Sequence, residues 1–136
     1  MTATRQTGPA QSAMGETEAL ELARAYVALS NAHRVELIRP MFAAEAVYRS
    51  SAVGEYRGAA AIADMMQAFF ARYADAFWLC ENYRYKNGRV SFEFSLQASD
   101  TGTGVHLQRS GIEHIYYDAD GLISKLEVIA TGDAEA

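Results

Sequence analysis

Across residues 17–32 the apolar positions recur at helical intervals. Leu22, Tyr26 and Leu29 stand at i, i+4 and i+7 with Ala19 and Ala23 beside them, which predicts an amphipathic helix. A second helix is expected over 34–42, carrying Val35, Ile38, Met41 and Phe42; Pro40, which lacks an N–H, should shorten or bend it. Residues 46–51 read as a short strand. Gly58 opens a third helix, to about Tyr73, whose apolar stripe of Ile62, Met65, Met66, Phe69, Phe70 and Tyr73 reads as core.

After Phe77 the period changes from helical to alternating. Strands are expected over 78–86, 89–99, 105–117 and 122–131, separated by Asn87-Gly88, by Thr101-Gly-Thr-Gly104 and by Asp118-Ala-Asp-Gly121. Helices followed by a meander give an α+β domain: a curved antiparallel sheet packed against three N-terminal helices. One domain over 16–132 is expected, with residues 1–15, small and polar, as a mobile tail and 133–136 as a short C-terminal tail. If 101–104 form the hairpin loop, Asp100 faces Val105, and Leu96, Phe94 and Phe92 pair with Arg109, Gly111 and Glu113. A slip of one residue would reverse the faces.

Alternation along 105–117 places Val105, Leu107, Arg109, Gly111, Glu113, Ile115 and Tyr117 on the more apolar face. Glu113 therefore points into the core or a pocket. A carboxylate there is paired, neutralised by a raised pKa, or used on a ligand, because an unrelieved charge in apolar surroundings is costly. Two readings stand: a structural carboxylate held by Arg109 or a backbone donor, and a group that acts on a ligand.

Charge narrows the choice of partner. Twelve basic against 17 acidic residues give a net charge of −5, and such a surface repels phosphate backbones and anionic lipid. Nucleic acid and membrane are thus not expected as partners. Tyr83-Arg-Tyr-Lys86 interleaves aromatic and basic residues but runs into Asn87-Gly88, so it reads as a strand end. Gly102-Thr-Gly104 has no helix after it and reads as a turn, not a phosphate cradle. Cys80, the single cysteine, reads as a small buried hydrophobe. His33, His106 and His114 have no metal-ligand spacing, so no metal is expected. No apolar run reaches membrane-spanning length and the N-terminus lacks the apolar core of a secretory signal, which makes the cytoplasm the expected location.

Four segments in order carry a resemblance. They are Tyr26-Val-Ala-Leu-Ser-Asn31, Met41-Phe-Ala-Ala-Glu-Ala-Val-Tyr48, Tyr56-Arg-Gly-Ala-Ala-Ala-Ile62 and Ile112-Glu-His-Ile-Tyr-Tyr-Asp-Ala-Asp-Gly121. Together they resemble the nuclear transport factor 2-like superfamily, in its SnoaL-like and ketosteroid isomerase-like branch, over roughly residues 17–131. The resemblance implies a cone-shaped fold around a pocket and no cofactor. It implies that Tyr26 is a hydrogen-bond donor to a developing oxyanion, and that Glu113 is a carboxylic acid held protonated so that it also donates. The family's general base falls at or near Ser50, and a serine without a partner is a very poor base, so steroid isomerisation is not expected. Tyr48, Ser50, Phe69, Phe92, Phe94, Arg109 and Val128 complete the expected pocket.

The expected ligand is a small, largely apolar molecule. Two functions remain open: an acid-base isomerase, cyclase or dehydratase acting on a carbonyl compound, and a binding or dimerisation module without chemistry. A homodimer is expected through the outward sheet face, which includes His106, Gln108, Ile112, His114 and Tyr116.

Overall fold

The computed structural model describes residues 14–135. Helix α1 spans Glu16–Asn31, a four-residue helix α2 spans Val35–Ile38 and runs into a 3-10 turn at Arg39–Met41, and α3 spans Ala59–Arg72. Six strands follow the order β1 Phe42–Ser50, β2 Gly54–Arg57, β3 Phe77–Lys86, β4 Arg89–Ser99, β5 His106–Tyr117 and β6 Ile123–Glu135. They form one sheet, β2-β1-β6-β5-β4-β3, curved and unclosed, with the helices packed on its inner face. The α+β class is as the sequence indicates. No helix among the described residues is long and apolar enough to cross a membrane.

Three expectations are corrected. The sheet is mixed: β1 runs parallel to β6, because the chain leaves β1 through the β2 hairpin and α3 and returns by a meander whose last strand has the direction of β1. The second helix is cut to one turn, since Pro40 sits at the start of the 3-10 turn, where its missing N–H does least harm. Strand β2 is an addition to the expected elements: its four residues include only one that is half-buried, Tyr56, and so show no alternation. Residues 1–13 and 136 lie outside the described residues, but Met14 is a core residue at 6% exposure, and β6 continues to Glu135, whose register partner is Leu107 on β5.

The core lies between the helices and the inner face of the meander. On β4, Val90, Phe92, Phe94, Leu96 and Ala98 alternate inward and all are buried. The β4–β5 register is the expected one, with Phe92 opposite Glu113 and Leu96 opposite Arg109. The turn chemistry fixes it. Asp100 N–H donates to the Val105 carbonyl at 2.9 Å, while the Asp100 carboxylate accepts from the Gly102 and Thr103 N–H groups and pairs with Arg72 at 2.7 Å. Those contacts hold the Asp100 carboxyl down at about 2.

Helix α1 is tied to the backbone of the edge strand β3 by Asn31. Asn31 accepts from the Trp78 N–H at 2.7 Å and donates to the Trp78 carbonyl at 2.9 Å, as a neighbouring strand would. Two half-buried backbone groups depend on it, so Asn31→Ala should cost about 1–3 kcal/mol, read as a lowered urea midpoint. Asn31→Asp, which keeps the acceptor and loses the donor, should fall between the two.

Candidate functional site

The β-register assembles the site. Phe92 on β4, Glu113 on β5, Val128 on β6 and Ser50 on β1 are successive cross-strand neighbours, so one row of the inner sheet face carries four of the expected residues. Tyr48 lies two residues before Ser50 on the same face of β1. Helix α1 brings Tyr26 over this row, its ring edge-on to Phe42 at 6.0 Å, and α3 closes the other side with Phe69.

All nine expected site residues, Tyr26, Tyr48, Ser50, Phe69, Phe92, Phe94, Arg109, Glu113 and Val128, line one cavity. Its free space is about 60 Å³, room for a few waters or a very small molecule with the side chains as they stand. The three phenylalanines narrow it without filling it. A ring-sized ligand must displace partly exposed members of the wall such as Val53, Met65 or Phe69.

Some of the wall was not anticipated. Met65, Met66 and Phe70, read as core, face the cavity, and so do Trp78 and Cys80 from β3. Helical spacing marks the buried side of α3 but cannot tell a packed neighbour from empty space. Cys80 is half-buried, not fully buried, and its inward alternation with Trp78 was the available signal.

Glu113 is 6% exposed, and among the described residues no hydrogen bond or ion pair reaches its carboxyl. Burial alone lifts it from 4.5 to about 8, because an apolar wall disfavours the charged form. The opposite charge that an ion pair with Arg109 would supply is not among the causes. Arg109, half-buried, lies in the same cavity and takes part in an interaction of its own.

The phenols and the thiol of the wall stay neutral. Burial, and then the charge of Glu113, push the Tyr26 and Tyr48 phenols well above their ordinary value, with Arg109 partly offsetting this at Tyr48. The same two causes push the Cys80 thiol up to about 12. Of the cavity's carboxyl, thiol and phenol groups, Glu113 alone titrates near neutrality.

Ser50 has a structural occupation. Its oxygen accepts from the Ala52 and Val53 N–H groups, both at 3.2 Å, and so shapes the β1–β2 turn. Ser30, a turn after Tyr26, donates to the Tyr26 carbonyl at 2.8 Å. The histidines lie elsewhere. His33 stacks on Phe70 at 4.0 Å, His114 shares a 2.7 Å hydrogen bond with Ser91, and His106 and His114 belong to the outward face of β5. Tyr83 packs its ring against Phe92 at 4.9 Å beneath the Arg24 guanidinium, so it offers no free face for stacking a base.

Comparison with known proteins agrees with this architecture. The enzyme SalBIII, described as epoxide hydrolase/cyclase-like with a role in pyran ring formation in the polyether salinomycin, superposes with a TM-score of 0.76 at 13% identity, over 84% of this chain and 91% of that one. A computationally designed 17-OHP binder gives 0.77 at 14% identity, over 88% and 98%. An LEH-like epoxide hydrolase from M. tuberculosis gives 0.73 at 15% identity, over 84% and 83%. At such identities the likeness is one of fold. No curated protein matches the chain in sequence. The model of the SnoaL-like domain matches residues 23–126, which take in every residue of the site except Val128, and the chain therefore belongs to the SnoaL-like family of the nuclear transport factor 2-like superfamily.

Proposed function

We propose that the chain binds a small, largely apolar carbonyl compound in this cavity and isomerises, cyclises or dehydrates it, with Glu113 moving the proton. The observation that carries the reading is a buried carboxyl without a partner among the described residues, set in an apolar wall and titrating near neutrality. Fold neighbours described as a cyclase-like enzyme and an epoxide hydrolase support chemistry in a pocket of this architecture.

With a midpoint near 8, roughly one carboxyl in ten is ionised at pH 7. That minority is a strong base for a carboxylate, since nothing in the wall relieves its charge. It takes a proton from the carbon beside the carbonyl, and the electron pair moves onto the carbonyl oxygen. There the neutral Tyr26 and Tyr48 hydroxyls donate hydrogen bonds. The carboxylic acid so formed returns its proton to a different carbon, which isomerises the compound, or to a leaving hydroxyl, which releases water. Either step restores the carboxylate. Ser50 takes no part.

Exchange of the α-protons of cyclohexanone in D2O, followed by proton NMR, tests the step without knowledge of the natural substrate. Wild type should exceed the buffer rate, increasingly so as pH rises towards 8, and Glu113→Gln should fall to the buffer rate. A second reading, binding without turnover, is favoured by the lack of another near-neutral base among the cavity's described groups and by the designed binder that shares the fold. Movement of the Glu113 carboxyl carbon-13 signal on adding cyclohexanone, with no exchange, would establish it. Neither movement nor exchange would end the carbonyl reading.

A second copy of the chain is the proposed protein partner. The outward sheet face exposes Phe77, Leu79 at 63% and Ile129 at 47%, with half-buried Ile112 between them, and the helices cover only the inner face. Sedimentation velocity at micromolar concentration should show a dimer for wild type and a monomer for Leu79→Glu. A monomeric wild type removes the claim.

A further inference from the structure

The cavity runs along the strands. Phe92, Phe94 and Leu96, successive inward residues of β4, all line it, and they stand opposite Glu113, Gly111 and Arg109 on β5. Glu113 and Arg109 therefore mark two ends of one apolar trough, four strand residues or about 13 Å apart at the backbone. Gly111, between them, has no side chain to divide it. Each end carries a different chemistry. Glu113 shares its wall with the phenols of Tyr26 and Tyr48 and is mostly protonated at pH 7. Arg109 is the single cation among the described residues of the wall; it is half-buried, with Leu96 and Trp78 following it in register across β4 and β3.

We propose that the ligand is a keto acid, its carbonyl against Glu113 and its carboxylate received by the Arg109 guanidinium. The inference rests on the proposed carbonyl chemistry for the Glu113 end, and on the cavity's geometry for the Arg109 end. A guanidinium held among apolar side chains is stabilised by an anion, and its planar fork matches a carboxylate with two parallel hydrogen bonds. Arg109 already has an interaction of its own, but a guanidinium carries five N–H donors and can take a further partner. Because the two ends are separated along the strand, the acid group belongs several bonds away from the carbonyl. A largely protonated Glu113 leaves that carboxylate unrepelled.

Dissociation constants for 4-oxocyclohexanecarboxylate, cyclohexanone and cyclohexanecarboxylate, measured by NMR titration, test it in wild type and in Arg109→Met, which keeps a long side chain and loses the charge. Wild type should bind the keto acid roughly tenfold or more tighter than cyclohexanone. That advantage should vanish in Arg109→Met and return in part in Arg109→Lys. A keto acid bound no tighter than cyclohexanone overturns the proposal, and so does an advantage that survives Arg109→Met. Should the variants fail to fold, wild type carrying carbon-13 at the arginine Cζ gives the answer. The Arg109 signal must move with the keto acid and stay still with cyclohexanone, and an unmoved signal overturns the proposal equally. Cyclohexanecarboxylate separates this inference from the reading on which it rests. Binding of that acid, lost in Arg109→Met, without proton exchange from either ketone would end the proton transfer and leave the carboxylate site standing. Exchange from both ketones with no preference for the acid would do the reverse.

Discussion

Gly111→Ala is expected to lower the melting temperature by roughly 10 °C or more, or to leave no folded protein. The β5–β6 register shifts between Ser110 and Gly111, with Thr131 of β6 as the extra residue, and a Cβ on residue 111 would lie 2.1 Å from the Ile129 carbonyl oxygen and 2.9 Å from the Ala130 Cα. Both obstacles are backbone. No side-chain rotation relieves them, so β6 must move away from β5 and the shared register must open. Overpacking against flexible side chains typically costs about 1–3 kcal/mol. A clash with a neighbouring strand should exceed that, and a few kcal/mol is a large share of a domain's total stability. Thermal unfolding followed by circular dichroism reads it, and a melting temperature within about 3 °C of wild type would show that the bulge is more pliable than its geometry indicates. The functional consequence is direct. The bend lies one row from Glu113 and Val128, which are cross-strand partners, so loosening it should also loosen the cavity.

What the sequence disclosed about the site came from local rules with one answer each. A four-residue loop at 101–104 leaves a single pairing of β4 with β5, and period-two alternation then puts Glu113 opposite Phe92 and on the inner face. The helical interval of Leu22, Tyr26 and Leu29 likewise sends Tyr26 inward. Facts that depend on distant parts of the chain stayed hidden. Nothing near Phe42 or Ile123 shows that they pair in parallel, because that follows from how the whole meander turns. Met65 and Phe70 look like core because periodicity reports which side of a helix is buried, not whether the space it faces is filled. Met14 reads as tail because one apolar residue has no period at all, yet it packs at the Gly121 turn. The partner of Glu113 belongs to the same class. Arg109 shares its face and was the natural choice, but burial, not an opposite charge, governs the carboxyl.

That distinction gives Glu113→Gln its expected result: the variant should lose a pH dependence of stability that wild type displays. Below about 4.5 the carboxyl is protonated in both folded and unfolded chains, and ionisation has no effect. Between 4.5 and about 8 the unfolded chain releases a proton that the folded chain keeps. The unfolded state is favoured throughout that window, by up to about 1.4 kcal/mol for each pH unit, and the loss levels off above it. The accumulated effect is roughly 5 kcal/mol, comparable with the whole stability of a marginal domain. Glutamine keeps the shape and a hydrogen-bond donor but cannot ionise, so its urea midpoint should stay flat where the wild-type midpoint falls. The difference between the two proteins from pH 4 to pH 9 cancels every other titrating group and isolates this one. A wild type that instead gained stability over the variant as pH rose would mean a depressed carboxyl, hence an ion pair, with Arg109 the nearest cation of the cavity wall. Glu113 would then be a structural anchor, and the argument for proton transfer in this cavity would lose its central group.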